Sequence, residues 1–253
     1  MLDKKWLYIF IAVLLLVISR SFFLRITSRK SWASKINVCL KHQIQEMGCE
    51  YRSNMCKVYQ DGTIGIDISN QNISDISALY LMPLSALNLE NTEVRDLSPL
   101  SQCKLLNKLN INDTPVLDLS PLSNLNIEEL FVNQTTISTL ASLKNMKLKT
   151  LSICNTPISD ISTIDSSVLE KLYLNGSDVT NLVSLIPENL LFFTFSENKI
   201  TQHENGLDVI KNMTNCTINS YSKYDQFWKE YAARQLERQG VGSKYSSQGE
   251  ISE

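Results

Sequence analysis

Glycine is scarce in this 253-residue chain, at eight residues, which argues against a protein built on glycine-rich phosphate-cradling loops. Histidine is scarcer: His42 falls in a predicted cap helix and His203 where a repeat pattern decays. No Cys/His pair, carboxylate pair or Ser/His/Asp set shares a face, so catalysis lacks its usual constellation and no enzyme activity is expected. The six cysteines (Cys39, Cys49, Cys56, Cys103, Cys154, Cys216) are too sparse for a disulfide-dense mini-domain. They include no CxxC pair, the usual mark of structural zinc and thioredoxin-like redox sites. A formal charge of -2 supplies no basic excess for nucleic acid. No cofactor or metal is expected. With 43% hydrophobic content, one sizeable core or one solenoid remains.

One long apolar run opens the chain. Residues Trp6 to Ser19 are almost wholly apolar, and Phe22, Phe23 and Leu24 extend the run past Arg20. At 1.5 Å per residue a helix over 6–24 spans roughly 28 Å, close to the hydrocarbon thickness of a bilayer. Trp6 and Tyr8 sit where an aromatic belt would place them, and Arg20 lies near the far end, where it can snorkel. A cleaved signal peptide competes with an uncleaved anchor, since Lys4 and Lys5 precede the run. Against cleavage, no small-x-small site follows promptly, and Arg20, Arg25, Arg29 and Lys30 occupy the region a peptidase would need. The expectation is a single-pass membrane protein. Flanking positive charge favours repeats in the cytoplasm, while three cysteines near the repeat entrance favour an oxidising space. The extracytoplasmic side is taken as the expected one.

The informative stretch is 63–206. A Leu-x-Leu-like pair recurs every 21 or 22 residues: Ile66/Ile68, Leu87/Leu89, Leu109/Ile111, Leu130/Val132, Leu151/Ile153, Leu172/Leu174 and Phe193/Phe195. Three residues before each pair stand Thr63, Leu84, Leu106, Ile127, Leu148, Leu169 and Leu190. Seven after its first member come Ile73, Val94, Val116, Ile137, Ile158, Val179 and Ile200, and two further apolar columns follow. Columns in phase over about seven turns define a repeat whose units bury their apolar faces only by stacking.

These spacings resemble the leucine-rich-repeat pattern LxxLxLxxNxL over somewhat more than half the chain. The segment Asp96-Leu97-Ser98-Pro99-Leu100 and its identical copy at 118–122 resemble, more narrowly, the bacterial internalin-like 21–22-residue class. That resemblance implies an α/β repeat: a solenoid with short parallel strands on a concave face and 3₁₀ or irregular segments on the convex side. An Asp column (Asp75, Asp96, Asp118, Asp160) is expected to accept backbone N–H groups and start the 3₁₀ turns. One departure stands out. The family's ladder asparagine is replaced by Gln71, Thr92, Thr114, Thr135, Thr156 and Ser177, and returns at Asn198.

The chain therefore divides into a short tail (1–5), a transmembrane signal-anchor (6–24), and a linker with N-terminal cap (25–62). The repeats (63–206), a C-terminal helical cap (207–239) and a polar, disordered tail (240–253) follow. Ile36, Leu40, Ile44 and Met47 recur at helical spacing before Gly48, and a hairpin turning at Asp61-Gly62 is expected to feed the first repeat. Tyr224, Phe227, Trp228 and Tyr231 share one face of a predicted C-terminal helix.

Outward strand positions should pave a ledge of roughly 29 Å. Its central column begins polar (Asp67, Asn88, Asn110) and turns aromatic, with Phe131, Tyr173 and, nearby, Phe192. Exposed aromatics are candidate binding anchors. Phe131, Tyr173 and Phe192, with Asn133 and Asn175 beside them, are thus the expected contacts for a protein or glycan partner on the concave face. Asn-x-Ser/Thr sequons at Asn112, Asn133 and Asn175 follow from the repeat grammar. The alternative is a structural envelope protein that uses the solenoid as a spacer and makes contact through its C-terminal aromatic helix.

Overall fold

A computed structural model of the chain describes residues 40–219, apart from 43, 145, 197–199 and 201–203. The apolar run 6–24, Ile36, Asn198, His203, the predicted helix 224–239 and the tail lie outside the described residues. Among those described, no helix is long and apolar enough to cross a membrane.

One nine-stranded sheet runs in strict sequence order. Its strands are β1 (Cys56–Val58), β2 (Ile64–Asp67), β3 (Leu84–Asn88), β4 (Lys108–Asn110), β5 (Glu129–Phe131), β6 (Thr150–Ser152), β7 (Lys171–Tyr173), β8 (Phe192–Thr194) and β9 (Thr217–Ile218). β1 pairs antiparallel with β2, forming the hairpin around Asp61-Gly62, and every later pairing is parallel. Before it, Leu40 and Ile44 are buried in the common apolar core, and residues 40–42 and 44–46 are helical. Gly48 at φ +82° ends them. Its N–H donates to Gln45 O at 3.1 Å and that of Cys49 to Ile44 O at 3.2 Å, the paired bonds of a Schellman stop.

The phase of the columns is the one the sequence predicts. Leu87, Leu109, Leu130, Leu151 and Leu172 stand opposite one another in register and are all buried, as are the later columns from Ile73 to Leu185. The first layer departs by one residue. The register shifts between Ile64 and Gly65, so Ile64, not Thr63, stands opposite Leu84; a bulge lets the apolar neighbour take the buried place.

Four 3₁₀ segments occupy the same place in successive repeats and stack on one another (Ser77–Leu79, Ser98–Gln102, Ser120–Leu122 and Ala141–Leu143), and two more, Ser166–Val168 and Pro187–Asn189, fall later in their repeats, just before β7 and β8. The Asp column accepts backbone N–H groups throughout, and a 3₁₀ segment starts two residues after Asp75, Asp96 and Asp118 but not after Asp160, whose repeat forms its segment later, at Ser166–Val168 capped by Asp165. Oδ1 of Asp75, Asp96, Asp118 and Asp160 accepts the N–H two residues on at 2.7–2.8 Å, and Thr139 and Asn181 substitute at 3.2 and 2.9 Å. The ladder threonines are buried, and each donates its hydroxyl to the carbonyl three residues earlier. Thr92, Thr114, Thr135 and Thr156 reach Leu89, Ile111, Val132 and Ile153 at 2.7–2.8 Å, and Ser177 reaches Leu174 at 2.8 Å. The hydroxyl satisfies a buried acceptor within its own repeat.

A second polar column escapes a reading based on apolar spacing. Asn70, Asn91, Asp113, Gln134, Asn155 and Gly176 all carry positive φ, from +51° to +73°, where the chain leaves each strand. Short polar residues and glycine tolerate that conformation best. At the other end the sheet runs past the expected repeat boundary at 206. A helix, Glu204–Lys211, replaces the 3₁₀ segment, and β9 adds a further parallel strand. Ile210, Met213 and Ile218 carry the core through it.

Candidate interaction surface on the concave face

Two outward columns pave the concave side of the sheet. In the first, Asp67, Asn88, Asn110, Phe131, Ser152, Tyr173 and Thr194 lie opposite one another, strand by strand. Two residues earlier runs the second: Lys57, Gly65, Ala86, Lys108, Glu129, Thr150, Lys171 and Phe192. Adjacent strands are about 4.8 Å apart, so each column is a row of close neighbours.

The small side chains of Gly65 and Ala86 interrupt the second column and leave a depression of about 450 Å³ over β1–β5. Tyr59 and Phe131 stand among its lining residues, with Asp67, Asn88 and Asn110 along one side. The Tyr59 ring packs over the glycine: a Cβ at position 65 would lie 3.1 Å from Tyr59 Oη and 3.2 Å from its Cε2, so a side chain there would push the ring outward by a few tenths of an ångström. An ammonium sits by each ring, Lys57 Nζ at 4.9 Å from the Tyr59 centroid and Lys108 Nζ at 5.5 Å from that of Phe131. At such exposed sites each contact contributes about 0.5–1 kcal/mol. Lys108 also pairs with Glu129 at 2.6 Å, which holds it over the ring.

The polar row is orientated by the backbone. Asp67 Oδ1 accepts from Ser69 N at 3.1 Å, Asn88 Oδ1 from Glu90 N at 3.1 Å and Asn110 Oδ1 from Asn112 N at 3.0 Å. Asn110 Nδ2 then donates to Glu90 Oε2 at 3.0 Å. The acceptors thus face their own strand ends. Mixed donors, acceptors and ring surface, held on strands, suit a protein surface more than a single ion.

The five residues expected from the sequence are distributed differently. Phe131 and Tyr173 share a column, half-buried, with buried Ser152 between them. Phe192 stands two residues out of that column, is 41% exposed, and has Lys171 Nζ 5.6 Å from its ring centroid. Among the described residues no ring–ring contact links the three; the stacked pair is Phe193–Phe195, in the core at 5.0 Å. Asn133 is largely committed to the fold. Its Oδ1 accepts from Ser152 Oγ and Cys154 N, each at 2.7 Å, and its own N–H donates to Asn112 Oδ1 at 2.8 Å. Asn175 Nδ2 donates to Thr194 Oγ1 at 3.1 Å. These asparagines tie neighbouring strands together along one rim.

Lys57, Tyr59, Gly65, Ala86 and Lys108 did not stand out in the sequence. The available signal was the pair of small residues in one outward column. Burial pushes the Cys154 thiol up, despite a hydrogen bond to Ser152, so it stays protonated and a poor nucleophile. Burial also raises Cys56 and Cys103 to about 11 and Cys216 to about 12. Among the described residues, no three His, Cys, Asp or Glu side chains cluster as metal ligands.

Stacked strands, 3₁₀ backs and apolar columns in register make this chain a leucine-rich-repeat solenoid. No protein-family model and no curated protein sequence matches it. Solved structures do. Internalin C2 from Listeria monocytogenes is 18% identical, matched over 61% of this chain and 68% of that one, at a TM-score of 0.50. Internalin F from the same organism is 22% identical over 58% and 51%, at 0.41. The leucine-rich-repeat ectodomain of the receptor kinase SOBIR1 from Arabidopsis thaliana is 17% identical over 56% and 92%, at 0.41. Within the leucine-rich-repeat class, the fold is internalin-like.

Proposed function

We propose that this chain is a membrane-anchored interaction module that binds a protein partner on the concave face of its sheet. The carrying observation is the depression over β1–β5, where Gly65 and Ala86 leave room between Tyr59 and Phe131 beside a pre-orientated polar row. Strand positions facing outward contribute little to the stacking of a solenoid. Half-buried rings held there are available to a partner, and a ring buried in a complex contributes about 2 kcal/mol or more, roughly thirtyfold in affinity. Phe131 and Tyr173 are the proposed anchors. Asn133 and Asn175 contribute mainly by holding the rim that frames them.

Capture of partners from native membranes, followed by titration of whichever protein is recovered, tests this reading. Phe131→Ala and Tyr173→Ala should each weaken binding at least tenfold while leaving thermal unfolding nearly unchanged. Undiminished affinity in both variants would remove the concave face from the account. The anchoring half rests on the apolar run 6–24. Full-length protein should stay with membranes through a carbonate wash, and a chain beginning near Ser34 should not. Recovery of a mature N-terminus between Arg20 and Ser34 would point instead to a cleaved leader. The repeats belong, on this reading, to the extracytoplasmic side.

A further inference from the structure

Three lysines on the concave face share one column and one kind of neighbour. Lys57 on β1, Lys108 on β4 and Lys171 on β7 stand in the same outward row, linked in register by Gly65, Ala86, Glu129 and Thr150. They recur every third strand, roughly 14 Å apart at about 4.8 Å per strand. Each lies over a ring, Lys57 on Tyr59, Lys108 on Phe131 and Lys171 on Phe192. The middle one is neutralised by Glu129 at 2.6 Å. Among the described residues, no carboxylate pairs with Lys57 or Lys171. The other carboxylates of this face are engaged. Glu128 holds Lys149 at 2.8 Å, and Glu170 adds its field at the same lysine. Glu90 accepts from Asn110 Nδ2 at 3.0 Å. Asp67 Oδ1 accepts the N–H and the hydroxyl of Ser69, at 3.1 and 2.7 Å. A ring face attracts an ammonium without supplying an oxygen acceptor, so the N–H donors of Lys57 and Lys171 stay open to an incoming anion.

We propose that the protein partner meets this face with an acidic segment laid along the lysine row, its carboxylates on Lys57 and Lys171. The inference rests on the concave-face reading above and adds the partner's chemistry to it. Charge complementarity selects the occupant. A basic segment would set like charges against both open lysines, whereas a carboxylate at each forms a charge-assisted hydrogen bond that the folded chain itself does not supply. The depression over β1–β5, which Lys57 and Lys108 both line, gives such a segment room beside its first contact. From Lys57 to Lys171 is six strand spacings, roughly 29 Å, which an extended segment covers in about nine residues. Phe192 then serves the site by holding Lys171 in place, and Phe131 and Tyr173 stand one column away as the apolar contacts. Attraction of this kind speeds encounter and is screened by salt.

The probe is a fluorescein-labelled peptide of about twelve residues, long enough to span the row, in which glutamate alternates with threonine. It is titrated by fluorescence anisotropy against the full chain in nanodiscs of zwitterionic lipid. Binding should weaken steadily as salt rises from about 50 to about 500 mM. Lys57→Gln combined with Lys171→Gln should weaken it at least tenfold and flatten the salt dependence. Lys104→Gln combined with Lys144→Gln removes the same charge from exposed sites that follow 3₁₀ segments, and should change binding less than twofold. None of the four lysines is buried, so circular dichroism should be the same in all forms. An acidic peptide that fails to bind overturns the proposal, as do equal losses in the two double variants, or a lysine-threonine peptide bound as tightly as the acidic one. The two readings also separate on the recovered partner. Weakened binding in Phe131→Ala and Tyr173→Ala, with none in the Lys57 and Lys171 double variant, leaves concave-face binding standing and removes the acidic segment.

Discussion

Replacing Leu109 by alanine probes the stacking that defines this molecule. Leu109 is fully buried in the middle of the sheet, with Leu87 in register on one side and Leu130 on the other. Removing three carbons from such a site forfeits about 0.8 kcal/mol each in transfer free energy. Flanking backbones tied by parallel ladders cannot collapse far into the space, which adds a cavity term. The total should be about 2–5 kcal/mol. Asn110→Ala, one residue away, is the control. From the sequence alone an outward side chain should cost less than about 0.5 kcal/mol. The structure raises this, because Asn110 accepts from Asn112 N and donates to Glu90, partly exposed bonds together worth about 0.5–1.5 kcal/mol. Equilibrium urea unfolding of the chain lacking residues 1–33, followed by circular dichroism, gives both values. Losses of similar size at the two positions would refute the assigned phase and the packing argument with it.

Further outcomes follow from single interactions. Thr114→Val keeps the shape but leaves the buried Ile111 carbonyl without its 2.7 Å donor, and should cost about 1–3 kcal/mol in the same unfolding assay. Gly176→Ala should destabilise too: its φ is +73°, and an added Cβ would collide with Asn155 Oδ1, so a neutral outcome would contradict the turn geometry. Acid should weaken the fold. The N–H and then the hydroxyl of Ser98 hold Asp96 below the usual carboxylate range; the hydroxyls and then the N–H groups of Ser120, Ser162 and Ser167 do the same for Asp118, Asp160 and Asp165. Carboxyls depressed on folding stabilise above their unfolded pKa, and that contribution is lost as pH falls through the folded value. Thermal unfolding should therefore move down as pH drops below the ordinary carboxylate range. Asp118→Asn, which keeps the acceptor as Asn181 does, should lessen the dependence.

How much of this was legible beforehand depended on which physical signal each feature left. Apolar columns repeat, so the phase of every strand from Leu87 to Leu172 could be read by spacing. The Asp and Thr columns could be read because their chemistry has few uses at a turn and beside a buried carbonyl. Concave features were harder. Gly65 and Ala86 form a depression only because β2 and β3 are neighbours and Tyr59 comes across from the turn after β1, a relation that spacing within one repeat does not contain. Asn133 resembled a free outward amide until its bonds to Ser152 and Cys154 placed it in the rim. β9 was missed because Thr217 and Ile218 are too few to show alternation, and the Glu204–Lys211 helix before them breaks the 21–22-residue period.

Which face meets the partner can be measured directly by site-specific photocross-linking in native membranes. A photoreactive phenylalanine analogue placed at Asn88 or Tyr173 samples the concave face, and one at Ser123 or Lys144, both exposed, samples the side away from the strands. The account predicts adducts to the same protein from both concave positions and none from the other two. Adducts from Ser123 or Lys144 alone would contradict it.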